Sequence, residues 1–240
     1  MIHIRTMKTY LSIFLLGIIA LSYVSCAKTA TDNTGGNNSP TVDTSYQPSS
    51  AGSSWLYYTR DTAGNLKDSI KVTSTGRDTS INSNSYVILN YDTTLQFQSH
   101  NANKYAFRTS AYSFNTTYGN ISVKGINVIY INNETDAVGT NWTFSCIDGN
   151  NVTVPSLPVP ISTQAVGTVK GVGLTDTENG VTYNKVFFSH IAFQANLVSW
   201  QNIAAMDIYA ARGVGIIKII TYDQNGVVST IQSLKSYTIK

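Results

Sequence analysis

Side chains able to do acid–base, nucleophilic or metal chemistry are few in this chain, and their spacing favours none of the three. Past the first few residues there are two histidines, His100 and His190. His100 sits in a polar stretch read as a turn, and His190 falls on the polar parity of a strand. Neither has a second His or a Cys at metal-ligand spacing, and no His-Glu-x-x-His occurs. The Gly-x-Ser-x-Gly elbow that exposes a serine nucleophile is missing as well. The two glutamates, Glu134 and Glu178, each stand at a hairpin tip beside an aspartate, Asp136 and Asp176 respectively. Two carboxylates held apart are what a glycosidase uses, so these tips are the one visible route to hydrolysis. Loop tips are also where solvated acids ordinarily lie.

Cys146 alternates with Trp142 and Phe144, which puts its thiol on an aromatic strand face. A small buried hydrophobe is expected there, because a catalytic thiol needs a base and an accessible, electropositive site. Asp148-Gly149-Asn150-Asn151 is a strong turn signal without the alternating oxygen ligands of a calcium loop. The expectation is no catalytic residue, no metal and no cofactor. Lys170-Gly171-Val172-Gly173-Leu174 returns as Arg212-Gly213-Val214-Gly215-Ile216. Neither matches a phosphate-binding loop. Glycine inside a strand pattern marks a bulge or bend, so two strands are expected to bend at equivalent points.

The elements holding these residues are strands. Of 240 residues, 42% are hydrophobic and only 12% charged, with 16 basic against 13 acidic side chains. A net charge of +3 leaves no basic footprint for nucleic acid. The charged fraction is about half the usual ~25%, and hydroxyl and amide side chains fill the gap, as in exported β proteins.

Period-two alternation runs through most of the chain. Trp55, Tyr57 and Thr59 open a strand, Ser69 to Thr75 answers it, and Ile121 to Ile131 reads as one longer strand. In the run Val181 to Val198, Val181, Tyr183, Phe187, Ile191, Phe193 and Leu197 share one parity. If the protein takes an apolar ligand or a glycan, Tyr183, Phe187, Ile191 and Phe193 are the expected lining; otherwise they are core. Asn202 to Ala211 has a helix-like composition but strand-like flanks, and is read as strand. Three prolines at 155, 158 and 160 cannot belong to a central strand, so a crossing or edge segment is expected there. Short strands with tight turns and no intervening helices mean an all-β antiparallel meander, either a curved half-barrel or open barrel, or else a β-sandwich.

Arg5 and Lys8 precede an uncharged apolar run from Leu11 to Val24. As a helix this spans about 21 Å, short of the roughly 30 Å of a bilayer core, and fits a signal peptide over residues 1–25. The run ends Ser25-Cys26, which resembles a bacterial lipobox in the form used by Bacteroidota, with Tyr23 departing from the usual aliphatic residue. Lipidation of Cys26 and ordinary cleavage after Ala27 both remain open. Residues 26–54 are Ser-, Thr-, Asn- and Gly-rich and read as a flexible tether with an r.m.s. reach of ~30 Å. Residues 55–240 form a single domain.

Gly52-Ser53-Ser54-Trp55-Leu56-Tyr57, Val138-Gly139-Thr140-Asn141-Trp142 and above all Ile208-Tyr209-Ala210-Ala211-Arg212-Gly213-Val214-Gly215-Ile216-Ile217-Lys218 resemble uncharacterised lipoproteins of Bacteroidota. The resemblance spans the mature chain. It implies a cell-envelope location and a β fold, and brings no catalytic residues. In that family acidic residues after the Cys often accompany export to the cell surface. Only Asp32 and Asp43 occur in the tether, so a periplasm-facing outer-membrane lipoprotein is expected. Asp61-Thr62-Ala63, Asp68-Ser69-Ile70 and Asp92-Thr93-Thr94 also look like the O-glycosylation acceptor pattern of this phylum. The functional expectation is a monomeric, non-enzymatic binding or scaffold module, tied to a membrane by acyl chains on Cys26, with an apolar or glycan ligand. The alternatives are a structural, partner-binding lipoprotein and a hydrolase using the tip carboxylates.

Overall fold

The computed structural model describes residues 44–240 apart from 102, 110–111, 117–118, 124, 149–150, 153–159 and 197–198. The leader, Cys26, most of the tether, Leu197 and the proline run before Pro160 lie outside the described residues. The described residues form fifteen strands: β1 (Ser54–Arg60), β2 (Leu66–Ile81), β3 (Asn84–Tyr91), β4 (Thr94–Asn101), β5 (Lys104–Thr109), β6 (Tyr112–Thr116), β7 (Gly119–Val123), β8 (Asn127–Ile131), β9 (Asn141–Phe144), β10 (Asn151–Val152), β11 (Ile161–Glu178), β12 (Val181–Asn196), β13 (Trp200–Ala211), β14 (Gly215–Tyr222) and β15 (Val228–Thr238). Among the described residues there is no helix.

β11 shows why these segments are strands. From Ile161 to Val169 burial alternates strictly, with Ile161, Thr163, Ala165, Gly167 and Val169 facing the core. Tight turns then reverse the chain. Asn179 and Gly180 take φ of +50° and +85°, the left-handed pair that a two-residue hairpin turn demands. Asp61 and Asp223 each accept hydrogen bonds from the backbone two and four residues on, which stabilises the β1–β2 and β14–β15 turns.

Thirteen strands build one antiparallel sheet in the order β10-β11-β12-β13-β14-β15-β1-β2-β3-β4-β5-β8, with β9 also on β11 and β6–β7 forming a separate hairpin. The sheet curls into a nearly closed barrel, which settles the choice between barrel and sandwich. The chain's first and last strands pair, from Ser54 opposite Thr238 to Arg60 opposite Ile231. The remaining gap lies between β8 and the edge formed by β9 and β10, and is bridged at a seam. There Ile126 pairs with Ile147, the Asn127 amide donates to the Cys146 carbonyl at 2.9 Å, and the Trp142 indole N–H donates to the Ile129 carbonyl at 3.2 Å. Because neighbours are antiparallel, alternate connections lie on opposite rims. The entry to β1, the turns β2–β3, β4–β5, β11–β12 and β13–β14, the β8–β9 loop and the end of β15 share one rim.

Four expectations change. The strand expected over Ile121 to Ile131 is broken into β7 and β8. Between them Gly125 has φ +136°, and a Cβ there would lie 2.6 Å from the Thr109 carbonyl and 2.9 Å from the Arg108 guanidinium. The answering strand expected at Ser69 to Thr75 runs on to Ile81 through Gly76, at φ +64°. The single parity expected for Val181 to Val198 shifts at Lys185, whose φ of +55° marks a bulge. Tyr183 and Val186 are both buried across it, while Val181 is 42% exposed. The tether expected to extend to Ser54 is anchored well before that, since Tyr46, Gln47 and Pro48 are buried. Asn202 to Ala211 is strand, as read, within β13.

Candidate functional site

Residues 45–53 form a strap across the rim where the chain enters the barrel. The Gly213 amide donates to the Ser45 carbonyl at 2.7 Å, the Gln47 side-chain amide to the Ala106 carbonyl at 3.3 Å, and the Ser74 hydroxyl to the Ser49 carbonyl at 2.6 Å. Tyr46, only 4% exposed, drives inward between Tyr105 and Phe187, with ring centroids 5.9 Å from each in edge-on packing. The Tyr130 hydroxyl reaches the Tyr46 carbonyl at 3.4 Å.

Ion pairs hold this rim from outside the aromatic plug. Arg212, in the β13–β14 turn, pairs with Glu134 of the β8–β9 loop, and its guanidinium lies 4.8 Å from the Tyr46 ring centroid. Tyr105 donates its hydroxyl to the same Glu134. Burial first, and then that carboxylate, push the Tyr105 pKa up. Next to it, Lys218 of β14 contacts Asp176 and Glu178 at 2.6 Å each and sits 4.2 Å above the Tyr209 ring, which stacks on Phe188 at 4.2 Å. Burial works against the Lys218 charge, but the two carboxylates outweigh it and its pKa rises. Asn179 at the hairpin tip donates to the Ser233 hydroxyl at 3.0 Å and the Leu234 carbonyl at 2.9 Å. The distal half of the β11–β12 hairpin is therefore bound across β14 and β15.

The two tip glutamates are thus tied to different cations, Glu134 to Arg212 and Glu178 to Lys218. The two glycine repeats also diverge. Gly171 and Gly173 lie in a bulged bend of β11, where register shifts accumulate between Val169 and Asp176. Gly213 and Gly215, at φ +75° and +104°, form the β13–β14 reversal itself rather than a bend within a strand. Both copies stand on the strap rim.

Tyr183, Phe187, Ile191 and Phe193 are all buried, Tyr183 in one apolar cluster and the other three in another. Ile191 and Phe193 are 0% and 1% exposed, which is the burial of packed core. Cys146 is buried too, and desolvation pushes its thiol up to about 11, away from nucleophilic use. Asp148 is gripped by the Arg108 guanidinium at 2.9 Å, although the Gly149-Asn150 turn beside it lies outside the described residues. His100 belongs to β4, opposite Tyr105, rather than to a turn. Thr62, Ser69 and Thr93 of the three acceptor-like triplets are all exposed.

One constellation escaped the sequence reading. His190 Nδ1 lies 2.7 Å from Asp207 Oδ1, and the Tyr222 hydroxyl donates to Asp207 Oδ2 at 2.7 Å. These residues come from three adjacent strands, β12, β13 and β14. Burial, followed by the Asp207 carboxylate, raises the Tyr222 pKa. The arrangement orients the imidazole and fixes the acid between two donors. A charged residue between Met206 and Ile208 was the available signal, but nothing in the spacing linked it to His190 or Tyr222. Among the described residues, no group of three or more His, Cys, Asp or Glu side chains could hold a metal ion.

No protein-family model matches this chain, and no curated protein does. Two solved structures resemble it in outline. One, from Parabacteroides distasonis and classed as a lipoprotein, is 12% identical over 81% of this chain and 99% of its own, with a TM-score of 0.47. The other, from Bacteroides fragilis and classed as an exported protein with a YmcC-like fold, is 8% identical over 80% of this chain and 97% of its own, with a TM-score of 0.45.

Proposed function

We propose that this is an exported envelope protein held in the periplasm-facing leaflet of the outer membrane by acyl chains on Cys26. Its barrel works without catalysis, as a scaffold that meets a partner through its outer surface. The leader from Arg5 to Ser25, the Cys that follows and the acid-poor tether support the anchor. At ~0.8 kcal/mol per buried CH₂, two or three acyl chains hold a protein at a membrane essentially permanently. The interior carries the rest of the reading. Tyr46, Tyr105, Tyr130, Phe187 and Phe193 lie buried in one apolar cluster, which supports a packed scaffold over a ligand carrier. Engagement of each tip glutamate by its own cation supports a non-enzymatic role.

Two measurements test the proposal. Intact mass of the native protein should show an N-terminal Cys26 carrying acyl groups; an unmodified N-terminus would remove the anchor. Photo-crosslinking in cells, from probes on the exposed faces of β12 to β14, should give one dominant protein adduct. Absence of any adduct, together with a stoichiometric lipid or glycan released by organic extraction, would replace the scaffold with a ligand carrier.

A further inference from the structure

The two rims of the barrel differ in charge. At the rim opposite the strap, an aspartate stands in each of four connections: Asp61 in β1–β2, Asp92 in β3–β4, Asp148 after β9 and Asp223 in β14–β15. Four cations stand near that rim, Arg60, Lys67, Lys71 and Arg108, of which Lys67 pairs with Asp61 at 3.0 Å and Arg108 with Asp148; with Asp68 as a further acid the rim is slightly acidic. At the strap rim the balance is reversed. Glu134, Asp176 and Glu178 are paired with Arg212 and Lys218, three carboxylates against two cations, which leaves one negative charge over. What remains is Arg77, Lys104, Lys170, Lys185 and Lys235, all exposed, against Asp78 and Asp136. Large apolar side chains are exposed on both rims, such as Val138, Val172 and Leu174 on one and Leu66, Leu95 and Val227 on the other, so they do not choose between them. Charge and the point of attachment do.

That point is fixed by the fold. Ser45 is bound to the Gly213 amide in the β13–β14 turn, so whatever precedes it leaves from the basic rim. Nineteen peptide units separate Ser45 from Cys26, a contour of at most about 65 Å in any conformation. We propose that the strap rim is a membrane-docking surface: Arg77, Lys104 and Lys185 rest on anionic lipid headgroups, and the acidic rim points away from the bilayer. The inference rests on the Cys26 anchor only for what brings the rim to the membrane; the surface itself is a property of the barrel. Electrostatic attraction of this kind adds per basic residue and vanishes within a Debye length.

The test uses the mature chain from residue 26 with Cys26→Ser, so that no acyl chain contributes, and vesicles of phosphatidylcholine with or without half phosphatidylglycerol. The chain should co-sediment with the anionic vesicles, not with the neutral ones, and should be released in about 1 M salt, where the Debye length is ~3 Å. The triple variant R77E/K104E/K185E should bind at least about ten-fold more weakly. A matched reversal on the other rim, R60E/K67E/K71E, should stay within about two-fold of the parent. No preference for anionic vesicles, or equal loss in both triple variants, overturns the proposal. If a variant fails to fold, as judged by circular dichroism, the salt and lipid series on the parent chain still decides. Acylation is read separately by intact mass, so an anchor without docking and docking without an anchor give different results.

Discussion

The barrel is closed in two places, and it uses different physics at each. At the seam between β8 and β9, closure joins hydrogen bonds to tight apolar packing: the Trp142 indole lies so close over Gly167 that a Cβ there would sit 2.1 Å from the ring. At the strap rim, closure combines an inserted aromatic with the ion pairs of Arg212 and Lys218. The seam depends on a residue having no side chain, and the rim on side chains of opposite charge meeting from distant strands. The first should therefore respond to volume far more than to salt, since its Arg108–Asp148 pair is largely buried, and the second the reverse, except for Tyr46.

The largest effect is expected from removing the plug. Tyr46→Ala empties an aromatic-sized space between Tyr105 and Phe187, and large-to-small changes of this kind cost about 3–5 kcal/mol. Urea unfolding should show that loss with little change on adding salt. A loss below about 1 kcal/mol would mean that the strap lies on the barrel without bracing it. At the seam, Gly167→Val should cost about 3 kcal/mol by overpacking, because the indole ring must leave its bond to the Ile129 carbonyl. Trp142 fluorescence should shift to the red in that variant. An unshifted spectrum with native stability would show that the seam has slack.

Alkaline titration separates the two closures by a different property. The Cys146 thiol beside the seam has its pKa raised from 9.0 to about 11 by burial. A raised pKa means the unfolded chain loses this proton first. The contribution is therefore intact below pH 9 and declines as pH rises from 9 to 11, by up to about 3 kcal/mol at ~1.4 kcal/mol per unit. Cys146→Ala should flatten the wild-type slope in that window. At the rim Tyr105 is raised in the same direction, so its tyrosinate absorbance should appear only as the barrel unfolds. Tyrosinate from Tyr105 at pH 10 in a folded barrel would mean that the rim is open to solvent.

The sequence made the strands legible because alternation is a local signal, and it made Cys146's burial legible because Trp142 and Phe144 share its parity. It hid the strap for the same reason. Tyr46 sits in a Ser- and Pro-rich stretch with no alternation, and its partners Tyr105 and Phe187 are tens of residues or more away. The break between β7 and β8 was hidden because the groups pressing on Gly125 come from β5. At Lys185 the parity shift needs a left-handed backbone that no lysine advertises. His190, Asp207 and Tyr222 each read as an isolated polar residue, since only the β12–β13–β14 register brings them together.

Smaller effects belong to the charges of the rim. Lys218→Met should cost about 1 kcal/mol or somewhat more. It keeps the stem that packs on Tyr209 but leaves Asp176 and Glu178 side by side without their cation. High salt should weaken the parent more than the variant, and equal responses would place the pair in bulk-like solvent.

The smallest effect sits on the opposite rim, where an ion pair adds to the hydrogen bonds that already hold a turn. Asp61 is held at a pKa of about 2, below its ordinary 3.8, first by the hydrogen bond from Lys67 and then by those from Asn65. Because the folded value is the lower one, its contribution is present above about pH 4 and is lost as pH falls toward 2. Asp61→Asn should therefore melt slightly below the parent at pH 5 and converge on it at pH 2. Asn retains the acceptor for the Ala63 and Asn65 amides, so what disappears is the ion pair and not the turn. An unchanged gap across that range would assign the whole effect to turn geometry. The charged closures would then contribute chiefly at the strap rim, where the carboxylates are shielded from water.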